Sequence, residues 1–433
     1  MGEQPSLVFA SSHEGGASGG SEGSMDHETR GDGSMMEKLA SFLYRAGIWT
    51  GLAVLPAAQG CDSTYPANTL DHDSAPSVWT LERELTIGSL DDPAQSLTTI
   101  GGLAVDRAGR IYVSQPKEQE VKVFSPDGAL LNTIGRRGEG PGEFARPGKI
   151  GWLADTLWVA EIRMPKISFF EADGTFVRST LLQKAPLEGL SGQPGPITVN
   201  RIDGVLSDGT LLVRTTSGGQ QVLDGTISQF PYLRLDTDGN LLAHLTDMAV
   251  GNSILQVDLG GGRGVALPHP FPTRPFLAQS PSDDTVLQLD LIPEEGDRDP
   301  KMRLHKINPA GDTVFTRELP CPPLHFSPEY LERAALPLAK RLTRNSASQS
   351  PHQILPAIIE GLDLPSSAPP ALHLAVATRG EIWIQRNTPG ALQDQWEVYS
   401  PEGSLLATLH APPGTVIQAV DGPFVWATES DDL

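Results

Sequence analysis

Cysteine is almost missing from this chain. Cys61 and Cys321 stand far apart, with no CxxC pair between them. That leaves no disulfide framework, no cysteine-built zinc site and no dithiol redox motif. A long apolar run is also missing. The longest candidate, Ala46 to Ala58, is about a dozen residues and too short to span a bilayer. Basic residues are scarce: 32 Lys and Arg stand against 53 Asp and Glu, a formal net charge of -21. A surface this acidic excludes nucleic acid and anionic lipid as main partners, because phosphates need Lys and Arg to displace their counterions. HExxH, Walker and EF-hand strings are all missing. Gly16 to Gly20 formally matches GxSxG, but no strand precedes it and no helix follows, so the nucleophile-elbow reading has no context. What is abundant is Gly (45) and Pro (37), which suits many short strands joined by tight turns.

The first 77 residues divide by composition. Residues 1–34 are rich in Gly, Ser, Glu and His, bury too little apolar surface to offset chain entropy, and are expected to form a disordered leader. Met35 or Met36 opens a better start, MMEKLASFLYRAGIWTGLAVLPAAQGC, with Lys38 and Arg45 ahead of the short apolar stretch. The end of this 35–61 segment resembles a bacterial lipoprotein signal, in which a small residue precedes a lipidated cysteine. Gly60 and Cys61 fit; Ala58 stands where that pattern usually has Leu, Val or Ile. The resemblance implies a lipid anchor at Cys61 and a place in the cell envelope. An ordinary cleaved signal peptide with a chance cysteine is the alternative. Asp62 to Ser77 reads as a tether.

From residue 78 onward the pattern is all β. Val78 to Ser89 reads as a lone strand. Gly101 to Gly135 and Lys149 to Leu182 then repeat one plan: strand, turn, strand, hinge, strand, Asp-Gly hairpin, strand. Asp127-Gly128 and Asp173-Gly174 are 46 residues apart, a propeller-type period. The strings GLAVDRAGRIYVS, VKVFSPDG and the crossover GRRGEGPGEF resemble the NHL repeat of six-bladed β-propellers. The whole chain is similar to bacterial exported propellers of the NHL or TolB-like type. The resemblance implies an all-β six-bladed propeller over 78–433. It implies no activity.

Later repeats are looser. Hairpin signals at Ser207-Asp208-Gly209, Asp238-Gly239, Ala310-Gly311-Asp312 and Glu402-Gly403 mark three further blades. Val416 to Val420 and Phe424 to Thr428 begin a sixth, which Val78 to Ile87 is expected to complete, one strand short. Gly251 to His269, with its GGGRG run, reads as a mobile loop. Ser327 to Asn345 breaks the β pattern. Ser327 as cap, Pro328 at the first position and early Glu residues predict a helix, which Pro337 should kink or split. A second helix is expected from Ser350-Pro351, so a small helical insertion covers about 327–361.

Candidate chemistry is thin. Arg136 and Arg137 lie among glycines, a pattern that can cradle an anion. His269 and His373 are isolated, without metal-ligand spacing. Asp106, Asp155 and Asp208 stand beside turns that carboxylates cap. Trp152, Trp158, Trp383 and Trp426 read as blade packing. No catalytic, cofactor or metal residue is assigned. The expectation is a non-catalytic scaffold that binds a protein, peptide or glycan through variable loops at 215–230, 251–272 and 327–364. The competing expectation is a metal-dependent hydrolase or lyase with a central-channel site. Gluconolactonase-like and α-amidating-lyase propellers work so, with Glu, Asn, Asp or His ligands that cannot be matched to positions here.

Overall fold

The computed structural model describes residues 5–14, 76–88, 92, 95–182, 187, 197–216, 228–251, 253–258, 264–292, 300–344 and 350–430. Two strands, β1 (Pro5–Glu14) and β2 (Ser77–Ile87), precede the first complete blade. Blade one is β3 (Gly102–Val105), β4 (Ile111–Gln115), β5 (Glu120–Phe124) and β6 (Leu130–Ile134). Blade two is β7 (Pro147–Leu153), β8 (Thr156–Glu161), β9 (Lys166–Phe170) and β10 (Phe176–Leu181). Blade three is β11 (Thr198–Val205), β12 (Leu211–Thr216), β13 (Gln229–Leu235) and β14 (Leu241–Ala249). A hairpin of β15 (Ile254–Asp258) and β16 (Gly264–Pro268) follows. Blade four is β17 (Phe276–Gln279), β18 (Val286–Ile292), β19 (Lys301–Ile307) and β20 (Thr313–Leu319). Two helices, α1 (Pro328–Thr343) and α2 (Pro351–Glu360), lead to blade five, which is β21 (Ala371–Val376), β22 (Ile382–Arg386), β23 (Asp394–Tyr399) and β24 (Leu405–Ala411). The last strands are β25 (Val416–Asp421) and β26 (Phe424–Ser430).

Turn chemistry explains the strand breaks. Asp106 accepts from the Ala108 and Arg110 amides, both at 2.9 Å, and so closes the β3–β4 turn. Asp208 does the same through Thr210, at 3.0 Å. Asp155 does otherwise: it meets Arg107 of blade one in an exposed pair at 3.1 Å. At the outer hairpins Gly128 and Gly174 take φ of 86° and 94°, a left-handed backbone that a Cβ would strain.

The ring closes by side-chain packing between neighbouring blades. Tyr112, Val123, Phe144, Leu157 and Phe170 fill the first interface, and Trp158, Phe169, Ile202, Leu211 and Leu233 the second. Leu212, Tyr232, Val286 and Ile307 fill the third, and Leu289, Leu304, Leu374 and Ile384 the fourth. Trp396, Val398, Ile417 and Val425 seal blade five to β25 and β26, and those strands meet blade one through Ile87, Leu103, Phe124 and Trp426. Six filled interfaces make a closed ring of six blades.

Incoming loops are tied by a repeated device. In blade one Gln115 accepts from the Thr98 amide at 3.1 Å and Lys122 donates to the Ser96 carbonyl at 2.8 Å. In blade two Glu161, at the place of Gln115, accepts from Ala145 at 3.0 Å, and Lys166, at the start of β9, donates to the Glu143 carbonyl at 3.1 Å. The device satisfies loop backbone that would otherwise be buried unpaired.

Four expectations are corrected. Pro5–Glu14, expected within the disordered leader, pairs antiparallel with β26 on one side and β2 on the other. The sixth blade therefore has four strands in the order β25-β26-β1-β2, and the missing strand is supplied from upstream. Every backbone N–H and C=O of a third strand in a blade finds a partner on both sides, which draws an extended segment into that gap. The expected mobile loop at 251–269 contains the β15–β16 hairpin, whose Leu255, Val257 and Leu267 are buried. Pro337 does not split α1, which runs unbroken from Pro328 to Thr343; Ser327 caps it by accepting from the Tyr330 amide. Buried Ala335 and Ala339 hold the Pro337 turn against the hairpin and α2.

Candidate functional site

Each blade presents its innermost strand to the axis. β3, β7, β11, β17, β21 and β25 therefore wall a central channel, and neighbours in this ring touch. Strand alternation also sorts the connections by face. Links from an outer strand to the next inner strand all emerge on one face. The hairpin lies between β14 and β17 and the helices between β20 and β21, so both stand on that face. They pack on each other through Leu255, Phe271, Ala339, Leu355 and Ile358 and form a cap beside the channel mouth. Tyr330 of α1 ties the cap to blade five by donating to Asn387 at 3.1 Å. The opposite face carries short turns.

The channel wall is cationic in an acidic protein. Arg201 on β11 and Arg214 on β12 are direct cross-strand partners. Like charges so placed repel. Asp203 resolves the conflict: its carboxylate accepts from Arg201 Nε at 2.7 Å and from Arg214 Nε at 2.8 Å, with its side chain 1% exposed. Burial alone would raise the Asp203 pKa, but Lys149, Arg214 and Arg201 outweigh it and hold the carboxyl well below its usual range. Lys149 reaches this cluster from β7. Its side chain opens on channel solvent yet is enclosed by protein, and that enclosure pushes its pKa down; Asp203 offsets part of the shift while Arg201 and Arg214 add to it. Gly102 makes room for this strand, since a Cβ there would lie 2.9 Å from the Gly148 carbonyl and 3.1 Å from Lys149 Cα. Arg274, just ahead of β17, feels burial first and then both arginines.

The histidines found in the sequence fall in separate places. His373 lies in the channel wall on β21, with Nε2 3.1 Å from the Ile417 carbonyl and its ring edge-on to Trp396 at 5.8 Å. Burial, with Lys149 nearby, lowers its pKa. His269 is buried under the cap, accepts from the Phe271 amide at 3.1 Å, and is lowered by burial. Among the described residues no three His, Cys, Asp or Glu side chains gather as a metal's ligands would. The channel's Asp203 is already engaged by two guanidinium groups, so this donor set does not fit a divalent cation.

The glycine loop after blade one supplies its own anion. Glu143 accepts from Arg136 Nε at 2.9 Å and from the Gly140 amide at 3.0 Å, the positions an external phosphate would take. Trp158 and Trp383 are packed between blades, as expected, and Trp383 lies 6.0 Å from Trp79 of β2. Trp152 also packs between blades, edge-on to Tyr112 at 5.0 Å, and in addition lines a groove of about 530 Å³ with Asp106, Arg107 and Arg110, on the short-turn face. A second groove of about 390 Å³ lies where Glu329, Tyr330 and Arg333 of the cap meet Pro389 and Gly390. Cys61 and Gly16 to Gly20 lie outside the described residues, as does most of the 215–230 loop.

Sequence reading missed the cationic cluster. Lys149, Arg201, Asp203, Arg214 and Arg274 are dispersed along the chain, and each looks like an ordinary polar position of a strand or its flank. The available signal was charge at inner-strand positions of successive blades.

Residues 96–185 match a family model described as a 6-bladed beta-propeller. The fold is a six-bladed β-propeller. Solved propellers similar to it include a Bacteroides fragilis protein named as exported, 13% identical, with TM-score 0.37, covering 75% of this chain and 74% of that one. A gluconolactonase of Xanthomonas campestris is 16% identical, with TM-score 0.36, covering 77% and 86%. A virginiamycin B lyase of Staphylococcus aureus is 12% identical, with TM-score 0.33, covering 76% and 77%. Likenesses this distant carry no argument about activity. No curated protein matches the sequence. No helix among the described residues is long and apolar enough to cross a membrane.

Proposed function

We propose that this propeller is an exported, envelope-located binding protein, anchored by lipid at Cys61, which engages a protein, peptide or glycan without chemical turnover. One observation carries the reading. The hairpin and helical insertions, contributed by two different inter-blade links, pack into a single cap beside the channel mouth on one face. Rigid blades thus present their variable segments together, which is how repeat scaffolds build a recognition surface.

Face mapping tests the reading. Peptide and glycan arrays probed with the purified chain yield a ligand. Glu332→Lys and Arg333→Glu on the cap should then weaken it at least tenfold, while Glu171→Lys on the opposite face leaves it unchanged. Binding that maps to the short-turn face, or turnover that depends on a stoichiometric divalent metal, overturns the proposal. For the anchor, Cys61→Ser should move the protein from the membrane to the soluble fraction.

A further inference from the structure

We propose that the cationic channel wall is an oxyanion site, taking the carboxylate or sulfate of a sugar acid or of a small free acid. It deepens the binding reading and rests on it. Three cations, Lys149, Arg201 and Arg214, act on one carboxylate, Asp203, and a fourth, Arg274, is felt by both arginines, so cations outnumber the carboxylate in this cluster. The protein as a whole is strongly acidic, with a net charge of -21. A local excess of the opposite sign, in a walled channel, concentrates field and draws anions to one point.

The arrangement leaves donors to spare. Arg201 and Arg214 each use Nε on Asp203, so their Nη groups are not spent on that carboxylate. Guanidinium forks suit bidentate contact with carboxylate or sulfate. Among the described residues Lys149 and Arg274 make no side-chain hydrogen bond. Both side chains are exposed, so their donors stand open to a bound anion. Asp203 sets the resting geometry: it keeps the like-charged cross-strand pair together while the channel is without an anion.

The charge on Lys149 links binding to pH. The groups acting on it are Asp203 and Arg201 from β11 and Arg214 from β12; His373 of β21 faces it across the channel and is itself held neutral by burial. Enclosure lowers the lysine pKa, and a bound anion raises it again. Affinity is therefore highest below the lysine's lowered pKa and falls as pH rises through it.

Calorimetry on the full chain, at low ionic strength, provides the test with glucuronate, trigalacturonate and inorganic sulfate as probes and glucose as the neutral control. At least one acid should bind and glucose should not. Binding confined to sulfate identifies a free inorganic anion as the source, and binding of either sugar acid identifies a carbohydrate. Lys149→Met and Arg274→Gln should each weaken binding about tenfold or more, the loss of one charge-assisted contact. Neither should lower thermal stability, because both side chains are exposed and, among the described residues, make no side-chain hydrogen bond; Asp203→Asn should tighten binding. Above the lysine's lowered pKa, binding should take up protons, seen as a heat that depends on the buffer. Heat with none of the three acids, equal affinity for glucose, or binding indifferent to both Lys149→Met and Arg274→Gln overturns the site. If a cap-mapped ligand still binds while all three acids fail, only the channel site falls; if Glu332→Lys and Arg333→Glu leave that ligand untouched, it is the cap reading that fails.

Discussion

Replacing Asp203 with Asn should destabilise the propeller in a way that depends on pH. The side chain is 1% exposed and accepts from two guanidinium groups, at 2.7 and 2.8 Å. Asn keeps the shape and one acceptor, but turns an N–H₂ toward an arginine and leaves the cross-strand cations without their shared counter-charge. Breaking a buried ion pair by removing one partner costs about 3–5 kcal/mol. Arg201 is 34% exposed and Arg214 17%, so water recovers part of that cost and we expect about 2–3 kcal/mol at pH 7. The sign of the pH dependence follows from the depressed pKa of Asp203, which Lys149, Arg214 and Arg201 impose against the effect of burial. Stability from such a group is complete above its unfolded pKa, about 3.9, and is lost as pH falls toward the folded value. Urea denaturation at pH 7 and at steps below pH 4 measures the gap between parent and variant. The gap should be open at pH 7, unchanged at pH 5.5, and narrowing below about pH 4. Equal midpoints at pH 7, or a gap that persists undiminished at pH 3, would refute the account of Asp203 as the charged keystone of this wall.

Further outcomes follow from the same geometry. Gly135→Ala should cost about 2–4 kcal/mol, since its φ is 75° and a Cβ would lie 2.3 Å from the Phe144 ring; thermal denaturation checks it. Ile358→Ala in α2, whose side chain is fully buried, should cost about 2–5 kcal/mol, read as faster amide exchange in the hairpin and helices than in the blades. Lys166→Met should free the Glu143 carbonyl and cost about 1–2 kcal/mol, with limited proteolysis showing earlier cutting at 135–146. Cys321 should react slowly with a thiol reagent at neutral pH and faster as pH rises, because burial raises its pKa.

Much of the fold is legible in the chain because its cause is local. An Asp-Gly or Glu-Gly pair at a strand end favours a hairpin, and Gly128, Gly174, Gly239 and Gly403 all have positive φ at outer hairpins, whereas Asp203-Gly204 runs on inside β11. Helix capping is equally local, so Ser327 and Ser350 mark the two helix starts. What escapes the sequence is whatever depends on ring closure. Lys149 looks like a solvent-facing residue between Gly148 and Ile150 until blade three brings Asp203 to it. Pro337 looks like a breaker until packing at Ala335 and Ala339 fixes the turn around it. Pro5–Glu14 sits in a polar, glycine-rich context that hides a strand, because its hydrogen-bond partners, β26 and β2, lie far away in sequence.

That upstream strand gives the ring a latch on a tether. β1 and β2 lie on either side of residues 15–76, so the closing strand and the ring belong to one covalent thread. While the thread is whole, the pairing of β1 with its slot is intramolecular. A cut between the two strands would leave the blade's contacts in place but change their molecularity. The strand would become a separate peptide, retained only for its residence time and replaceable by any extended segment that satisfies β26 and β2. Such a cut would act as a clock on the sixth blade, read by strand exchange.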